Sequence, residues 1–421
     1  ALLPMTRTYV VGAGLAGLSA ALRLAEAGRR VTLVEAAPQA GGRCRSYHDR
    51  LLGQTIDNGN HLLLSGNREA LGYLDAIGAR DTLIRPDAPL MPFLDLETGE
   101  RWSVAPSAGH IPWWLLKRHG RVPGTSLGDW LEARRLLSPA PGATVAATIR
   151  RRGQIWRRFW QPLTVAALNT QPEEASARLL SAVVRQSFLA GAAACTPLIA
   201  RDSLAASFVD PALAKLSALG AEVRFGRRLR AVEREGDRVA ALAFDDGPLP
   251  LADGDRAVLA VSPWVAADLL PELELAFEPR PIVNAHLLLP AAPRLPAAVP
   301  LLGLIGGTAE WLFARGRLVS LTVSAAEGLR DLAQEELSRR LWRDTAQALS
   351  LPPEPRPPLR LLVEKRATFA ATPAAAARRP GARTRWRNLL LAGDYTATGL
   401  PATIEGAILS GRRAAEAVVA P

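Results

Sequence analysis

Cysteine is almost absent from this chain: Cys44 and Cys195 are the only two among 421 residues. Two cysteines exclude a disulfide-built scaffold and a zinc site made of thiolates, and they favour a reducing compartment. Lysine is nearly as rare, with Lys117, Lys215 and Lys365 alone, so arginine carries almost all of the formal net charge of +11. The five histidines show no spacing typical of a metal site. We therefore expect no metal.

Long hydrophobic runs are also missing. A membrane-spanning helix needs about 18 uncharged apolar residues, and the segments 187–200 and 301–309 are too short or contain proline. We expect no signal segment, because the N-terminal residues show no charged stretch followed by an apolar one. The prediction is a cytoplasmic protein, peripheral on the inner membrane, that does not span it.

Basic and aromatic residues alternate at 111–118 and at 150–160, and tryptophan beside arginine is typical of a membrane interface. The second stretch equally fits tryptophans in the core with arginines on a solvated face. A basic surface can also attract nucleic acid, but no nucleic-acid-binding motif is present. The sequence therefore predicts a membrane surface as partner and no nucleic acid.

A glycine-rich segment at 10–17 is the most informative feature that the chain does contain. Gly12 permits a tight turn, Gly14 lets backbone approach a pyrophosphate, and Gly17 lets a helix sit close on a strand. The pyrophosphate would then meet the helix N-terminus, where free N–H groups and the dipole favour negative charge. Close packing of a helix on a strand also needs small residues, so the glycines alone leave that structural alternative open.

The order of elements around this segment favours a dinucleotide site. Residues 8–11 predict a buried strand, 15–27 a helix that ends at Gly28, and 30–34 a second strand that ends in Glu35. A carboxylate at the end of the second strand can accept from the ribose 2′-OH and would repel the 2′-phosphate of NADP. The N-terminal unit therefore predicts FAD or NAD.

The segment Gly41-Gly42-Arg43 favours FAD over NAD. Paired glycines ending in Gly42 let backbone run against a ligand, and Arg43 supplies a fixed cation for phosphate. A nicotinamide enzyme has no need of such a segment, and no second nicotinamide-binding motif is present.

A second candidate cofactor segment lies near the C-terminus. Residues 388–394 predict a buried strand that breaks at Gly393 and presents Asp394, and the run Ala402-Thr403-Ile404-Glu405-Gly406-Ala407 opens a final helix. An acid at a strand end can hydrogen-bond ribityl hydroxyls, and a helix N-terminus can face the flavin pyrimidine, which becomes anionic on reduction. The structural alternative is that Asp394 only caps the helix.

These motifs resemble the FAD-dependent amine oxidase and phytoene desaturase superfamily. The resemblance covers both ends of the chain and, more loosely, the middle. It implies FAD as the cofactor, with Asn58 and Gly59 near the flavin and Val223 beside the adenine.

Within that superfamily, four stretches are most similar to the bacterial hydroxysqualene dehydroxylase family of hopanoid biosynthesis. They are Asp57-Asn58-Gly59-Asn60-His61, residues 160–176, residues 306–313 and Leu400-Pro401-Ala402-Thr403-Ile404-Glu405-Gly406-Ala407. This resemblance implies a hydroxysqualene substrate, an outside electron donor that the sequence does not identify, and a functional link to squalene-pathway prenyl synthases.

The fold class we predict is α/β: a Rossmann-type, glutathione-reductase-like FAD-binding domain interleaved with an α+β substrate domain. A chain of this length, 48% apolar and without internal repeats, is ample for two cores. The predicted FAD-binding segments are 1–82, 211–267 and 386–421, and the predicted membrane-facing substrate segments are 83–210 and 268–385. We expect Ala374 to Arg385 to form a surface loop.

The chemistry depends on the residues around the flavin. No aromatic residue stands at 398–403, where amine oxidases build a cage for the amine nitrogen, and Tyr395 is not in that position. An apolar isoprenoid therefore fits better than an amine. Loss of an allylic hydroxyl needs an acid, and we predict His61 for this role, with Asp57 as a second catalytic candidate. The alternatives are that His61 only hydrogen-bonds the cofactor or backbone, and that Asp57 orders its own turn.

Three hypotheses remain open at the level of sequence. The first is reductive removal of the hydroxyl of hydroxysqualene. The second is an oxidative desaturase of the phytoene type, with the same cofactor and the opposite electron flow. The third is a flavin-binding carrier or membrane-assembly partner without turnover.

Overall fold

A computed structural model describes residues 6–109, 121–329 and 331–420. The basic and aromatic stretch at 111–118 lies outside the described residues. Within them, no helix is both long enough and apolar enough to cross a bilayer.

The described residues contain twenty strands: β1 (Arg7–Val11), β2 (Arg30–Val34), β3 (Ser46–Asp49), β4 (Gln54–Asp57), β5 (Leu63–Leu64), β6 (Leu83–Ile84), β7 (Met91–Asp95), β8 (Arg101–Val104), β9 (Pro197–Ala200), β10 (Glu222–Arg224), β11 (Leu229–Glu235), β12 (Arg238–Phe244), β13 (Gly247–Pro250), β14 (Arg256–Leu259), β15 (Pro279–Leu288), β16 (Leu301–Ile305), β17 (Trp311–Arg315), β18 (Leu318–Val323), β19 (Leu359–Phe369) and β20 (Leu389–Leu391). The same ranges contain eleven α-helices: α1 (Leu15–Glu26), α2 (Arg68–Ala76), α3 (Leu127–Leu131), α4 (Val145–Thr148), α5 (Gln161–Leu168), α6 (Ala177–Gln186), α7 (Asp210–Ala218), α8 (Pro263–Leu269), α9 (Gln334–Leu349), α10 (Pro373–Ala377) and α11 (Ile404–Val419).

A five-stranded parallel sheet has the order β10-β2-β1-β14-β20. The predicted strand at 30–34 is found with the same bounds, and the predicted helix at 15–27 begins at the expected residue. Four of its strands, β2, β1, β14 and β20, are largely apolar and buried, as is typical of a parallel sheet covered on both faces, whereas the edge strand β10 is not buried. The α/β fold class is therefore confirmed.

The first and last helices pack directly against each other. A Cβ built at Gly411 would lie 2.1 Å from the backbone oxygen of Ala16, and the Ser19 hydroxyl donates to the Ile408 carbonyl at 2.9 Å. Each of these helices follows a strand of the parallel sheet. Their N-termini therefore meet at the carboxyl edge of that sheet, where α/β proteins bind ligands.

A seven-stranded mixed sheet has the order β19-β15-β18-β17-β16-β7-β8. Its central strands alternate in character. One face carries apolar side chains such as Val283 and Leu321, which share a buried cluster with Leu341 of α9. The opposite face carries Asn284 and Thr322, which lie in register on β15 and β18. The helix-covered face is thus structural, and the other face is available to a site.

The stretch at 150–160 buries two of its three aromatic residues, Phe159 and Trp160, whereas Trp156 is partly buried. Trp160 is 2% exposed, and Phe159 packs edge-on against Trp130 and Trp160. Arg158 is also buried and pairs with Asp95 at 2.9 Å. The structure thus places Trp160 in the core, as in the second interpretation, but Arg158 is buried beside it and does not lie on a solvated face.

The prediction of a surface loop at 374–385 was wrong in part, because its first residues are helical and both Ala375 and Arg379 are buried. Arg379 is only 7% exposed. The alanine-rich stretch before it forms α10, and Arg378 beside it is exposed as expected. Composition identified the surface segment but not the inward turn of one arginine.

Candidate active site

The glycine-rich segment forms a tight turn between β1 and α1 that only glycine fits. Gly12 has φ +104°, and a Cβ there would lie 2.3 Å from the oxygen of Ala260. At Gly17 a Cβ would lie 1.8 Å from the oxygen of Gly12. At Gly14, by contrast, a Cβ meets nothing within 4 Å. Two glycines therefore serve packing, and the third borders open space.

Helix α1 begins at this open space without a capping side chain and without an acid in its first turn. Its first N–H groups have no partner within the helix, and the dipole adds positive potential. The Glu35 carboxylate stands at the same turn, where it accepts from the N–H of Ala13 at 2.7 Å and of Ala37 at 2.8 Å. This arrangement of free donors, open space and an adjacent acid fits the pyrophosphate and ribose of FAD.

The paired glycines lie directly against the first turn. Gly41 has φ +109°, and its N–H donates to the Ala13 carbonyl at 2.8 Å. A Cβ at Gly42 would come within 3.3 Å of the Gly14 Cα. The two glycine segments, separate in sequence, therefore form one wall.

Arg43 and Asp394 come together from opposite ends of the chain. A guanidinium nitrogen of Arg43 lies 2.7 Å from a carboxylate oxygen of Asp394, and a second nitrogen donates to the Ala367 carbonyl at 2.6 Å. The Arg43 side chain keeps 38% of its surface exposed, whereas Asp394 is 5% exposed. The predicted cation and acid are thus one ion pair beside the open space.

Helix α11 begins at Ile404, shortly after Asp394 in the sequence. Thr403 is its N-cap, with a hydroxyl that accepts from the Gly406 N–H at 3.1 Å; Ala402 precedes it and Ile404 is buried. Tyr395 has no exposed surface and packs against Phe277, with ring centroids 6.1 Å apart. The aromatic residue that directly follows the acid in sequence therefore points into the core.

Val223 lies in β10, the edge strand of the parallel sheet, and pairs with Leu33 of β2. The backbone N–H of Glu35 donates to the Arg224 carbonyl at 2.8 Å. Val223 is therefore close to the strand end that carries Glu35, as its predicted place beside the adenine requires.

Asp57 is buried and its carboxylate is fully engaged. One oxygen accepts from the Ser46 hydroxyl at 2.6 Å and from the Leu204 N–H at 2.9 Å. The other lies 2.8 Å from a guanidinium nitrogen of Arg315 in β17. These contacts join the 57–61 loop to the seven-stranded sheet.

The asparagines of the same loop are held by that sheet. The Asn58 amide donates to Glu364 at 3.2 Å, and the Asn60 amide donates to the Thr322 hydroxyl at 3.0 Å. That hydroxyl in turn donates to Asn284 at 3.0 Å. A Cβ at Gly59 would lie 3.4 Å from the Asn284 amide nitrogen and 3.9 Å from an imidazole nitrogen of His61, so Gly59 lies close to both side chains.

His61 stands at a boundary between polar and apolar surroundings. Asn60 before it belongs to the amide network, and Leu62 after it packs against a buried apolar cluster. Burial lowers the pKa of His61 to about 4, partly opposed by the Asp57 carboxylate, and Arg43 lowers it further. The imidazole is therefore neutral at neutral pH.

The apolar cluster lies on the same face of the seven-stranded sheet as Thr322. Trp311 pairs with Thr322, and Phe313 pairs with Ser320, across β17 and β18. The cluster comprises Ile199, Val299, Leu301 and Phe313, with Leu62, Ile84, Leu90 and Trp311 packed against it. One sheet face thus offers a polar half beside the glycine turns and an apolar half suited to a hydrocarbon.

Sequence reasoning missed several of these residues. Arg315, Asn284, Thr322 and Glu364 were not predicted, although each contacts the 57–61 loop. A signal was present, because polar residues recur at every second position within otherwise apolar strands: Asn284 and His286 in β15, Ser320 and Thr322 in β18.

Together, a dinucleotide-type turn, a cation–acid pair and a half-apolar sheet face define an FAD-dependent oxidoreductase. The sequence profile described as flavin containing amine oxidoreductase matches residues 15–419. Relatives named hydroxysqualene dehydroxylase, from Rhodopseudomonas palustris, Sinorhizobium fredii and Zymomonas mobilis, are 48%, 45% and 43% identical, and the matches span 97–99% of both chains. The chain therefore belongs to the flavin-containing amine oxidoreductase family, within its hydroxysqualene dehydroxylase group.

Two more distant similarities place this group in context. A probable zeta-carotene desaturase from Synechococcus elongatus is 28% identical over 59% of this chain and 55% of its own length. The solved structure of a cyclohexylamine oxidase from Brevibacterium oxydans superposes with a TM-score of 0.71 at 17% identity, over 99% of this chain and 99% of the other. The latter similarity shows the shared fold alone.

Proposed function

We propose that this protein removes the allylic hydroxyl of hydroxysqualene to give squalene. The observation that carries the proposal is the near-full-length identity of 43–48% to relatives named for that reaction. Bound reduced FAD supplies a hydride to the carbon that loses oxygen.

The cofactor would be held by the wall that the two glycine segments form and by its charged neighbours. The first turn of α1 at Gly14 would meet the pyrophosphate, and Glu35 would accept from the ribose. The Arg43–Asp394 pair would hold the part of FAD between the pyrophosphate and the flavin ring. The N-terminus of α11 at Thr403 adds positive potential. The 57–61 loop and Val223 complete the predicted set. We propose that segments 1–82, 211–267 and 386–421 bind FAD and that segments 83–210 and 268–385 bind the substrate.

His61 is the side chain that we propose to act on the leaving hydroxyl. It stands where the polar loop meets the apolar cluster, so a hydrocarbon against Trp311 and Phe313 would bring its polar end near the imidazole. With a pKa of about 4, the imidazole is neutral when substrate arrives. It would then donate a hydrogen bond to the hydroxyl oxygen. As the C–O bond breaks, a proton taken up from solvent would pass through the half-buried imidazole to that oxygen, which leaves as water, while the carbon takes the hydride. The apolar cluster excludes water that would trap an allylic cation.

The test is anaerobic. Purified protein with FAD and excess dithionite is given hydroxysqualene, and a parallel sample with oxidant is given phytoene, with products identified by mass spectrometry. Squalene formed only with reduced flavin supports the proposal. Desaturated phytoene with hydroxysqualene untouched would indicate the carotenoid-type reaction, and flavin that turns over neither substrate would indicate a carrier.

His61→Asn tests the proposed role of the imidazole. The variant should retain its flavin absorbance, because the glycine wall is unchanged. Its turnover should fall by about 10²-fold or more, as is typical when a positioned proton donor is lost. Turnover unchanged from wild type would remove His61 from the mechanism.

We also propose that the protein lies on the cytoplasmic surface of an anionic membrane. Leu127, Leu131 and Leu137 are 44%, 62% and 42% exposed in and just after α3. Arg134 and Arg135 are exposed between them. Apolar side chains flanked by arginine suit an interface with anionic lipid.

Vesicle flotation tests this membrane proposal. Wild type should float with vesicles containing anionic lipid and remain behind with purely zwitterionic ones. Leu131→Ser should reduce flotation, whereas Leu219→Ser, at a 38% exposed leucine elsewhere, should not. Equal flotation of both variants with wild type would contradict the proposal.

A further inference from the structure

Arg379 is a buried arginine whose side chain binds the backbone of one loop, residues 394–400. It is 7% exposed, and its guanidinium donates to the carbonyls of Leu400 at 2.6 Å and Asp394 at 2.8 Å. It also donates to the Thr398 hydroxyl at 2.8 Å. The acceptors lie at the two ends and the middle of residues 394–400, which connect Asp394 to the N-terminus of α11. One side chain thus fixes the shape of that loop.

The charge of Arg379 has no carboxylate of its own. Within the described residues no Asp or Glu oxygen lies within ion-pair distance of it. The nearby Asp394 carboxylate lies 2.7 Å from Arg43 instead. Burial lowers the pKa of Arg379 to about 10, with Asp394 opposing the shift, so the group stays charged at neutral pH. The loop carbonyls solvate it in place of a counter-ion.

The same cation links the loop to β19. The guanidinium carbon lies 5.4 Å from the centroid of the Phe369 ring, within range of a cation–π contact. Phe369 lies two residues after Ala367, whose carbonyl accepts from Arg43. Arg379 therefore contacts both segments that border the Arg43–Asp394 pair, residues 367–369 and residues 394–400.

We propose that Arg379 positions the 394–400 loop and raises the midpoint potential of bound FAD through its uncompensated positive charge. This inference rests on the proposed function, because it assumes that the loop lines the flavin. A flavin gains negative charge on reduction, and a fixed cation in a region of low dielectric constant favours the reduced form. A higher potential favours reduction of the flavin by the outside electron donor and makes the reduced flavin a weaker hydride donor, so the charge biases the flavin towards the loaded state.

The test is a redox titration of the FAD-loaded protein against reference dyes under anaerobic conditions. Arg379→Gln should lower the ratio of reduced to oxidised flavin at least tenfold at a given potential, which for a two-electron couple is about 30 mV. Arg378→Gln, at the exposed neighbour, is the matched control and should leave the ratio unchanged.

Arg379→Lys separates charge from hydrogen bonding. Its potential should lie near that of wild type at low pH and approach that of Arg379→Gln as pH rises, because burial lowers the pKa of a lysine until it loses its charge. If Arg379→Gln does not fold, this extra pH dependence decides the question by itself, and its absence would overturn the proposal. The proposal would also be overturned if folded, FAD-loaded Arg379→Gln had the same midpoint potential as wild type.

The two proposals fail separately. If wild type leaves hydroxysqualene unconverted while the potentials shift as expected, the proposed reaction is wrong and the role of Arg379 stands. If squalene is formed but the potentials do not move, Arg379 has a structural role only.

Discussion

Replacing Asp57 by asparagine should lower the free energy of unfolding substantially while lowering the turnover of the folded protein only modestly. The substitution keeps the shape of the side chain but leaves Arg315, 11% exposed in its side chain, without its carboxylate at 2.8 Å. Breaking a buried ion pair from one side costs about 3–5 kcal/mol. Arg315 also donates to the Asp202 carbonyl at 2.9 Å, so it is not wholly without a partner. We therefore expect a loss near the lower end, about 3 kcal/mol.

The assay is urea unfolding of the FAD-free protein in a double-mutant cycle. Asp57→Asn, Arg315→Met and the double variant are compared with wild type, and the double variant should be less destabilised than the sum of the two single variants. Turnover per folded, flavin-loaded molecule should fall only modestly in Asp57→Asn. If that variant unfolds like wild type while turnover disappears, the reasoning fails and Asp57 acts in the reaction itself.

Two further predictions concern Gly17 in the glycine turn and the buried His286. Gly17→Ala places a Cβ 1.8 Å from the Gly12 oxygen, so the purified variant should retain little flavin, measured by absorbance, whereas Gly72→Ala in α2, where a Cβ meets nothing within 4 Å, should retain it fully. Burial lowers the pKa of His286 to about 4 from an ordinary 6.5. Between these two pH values the unfolded chain binds a proton at His286 and the folded chain does not, so the free energy of unfolding should fall as pH drops from 6.5 towards 4. His286 alone accounts for about 3 kcal/mol of that loss, and urea unfolding of His286→Gln should show a shallower fall; an unchanged pH dependence would contradict this.

Local rules predicted the N-terminal unit well. Gly12, Gly17 and the strand before them obey steric requirements that operate over a few residues, and the structure has the turn, helix and second strand in the expected order. The final helix was predicted from Ala402 and begins at Ile404 with Thr403 as its cap. Such elements are accessible from sequence because their causes lie within one turn of chain.

Pairings across the chain were not accessible in the same way. Arg43 and Asp394 were each proposed for the cofactor, but nothing in either neighbourhood indicates that they meet at 2.7 Å. Asp57 was predicted as a catalytic candidate, with the ordering of its own turn as the alternative, whereas its partner Arg315 comes from a strand of the other sheet. A residue's local pattern specifies its backbone, while its partner depends on which strands the topology places opposite it.

Arg379 shows how far this limit reaches. Alanine and arginine followed by proline are typical of exposed chain, and Arg378 is exposed as that composition suggests. One residue later the guanidinium turns inward, because three acceptors of the 394–400 loop are available to it there. Composition cannot distinguish the two arginines, since the difference is made by acceptors 15 to 21 residues away. A buried charge without an ion-pair partner is costly, and such a cost is most readily understood where the charge acts on a bound group.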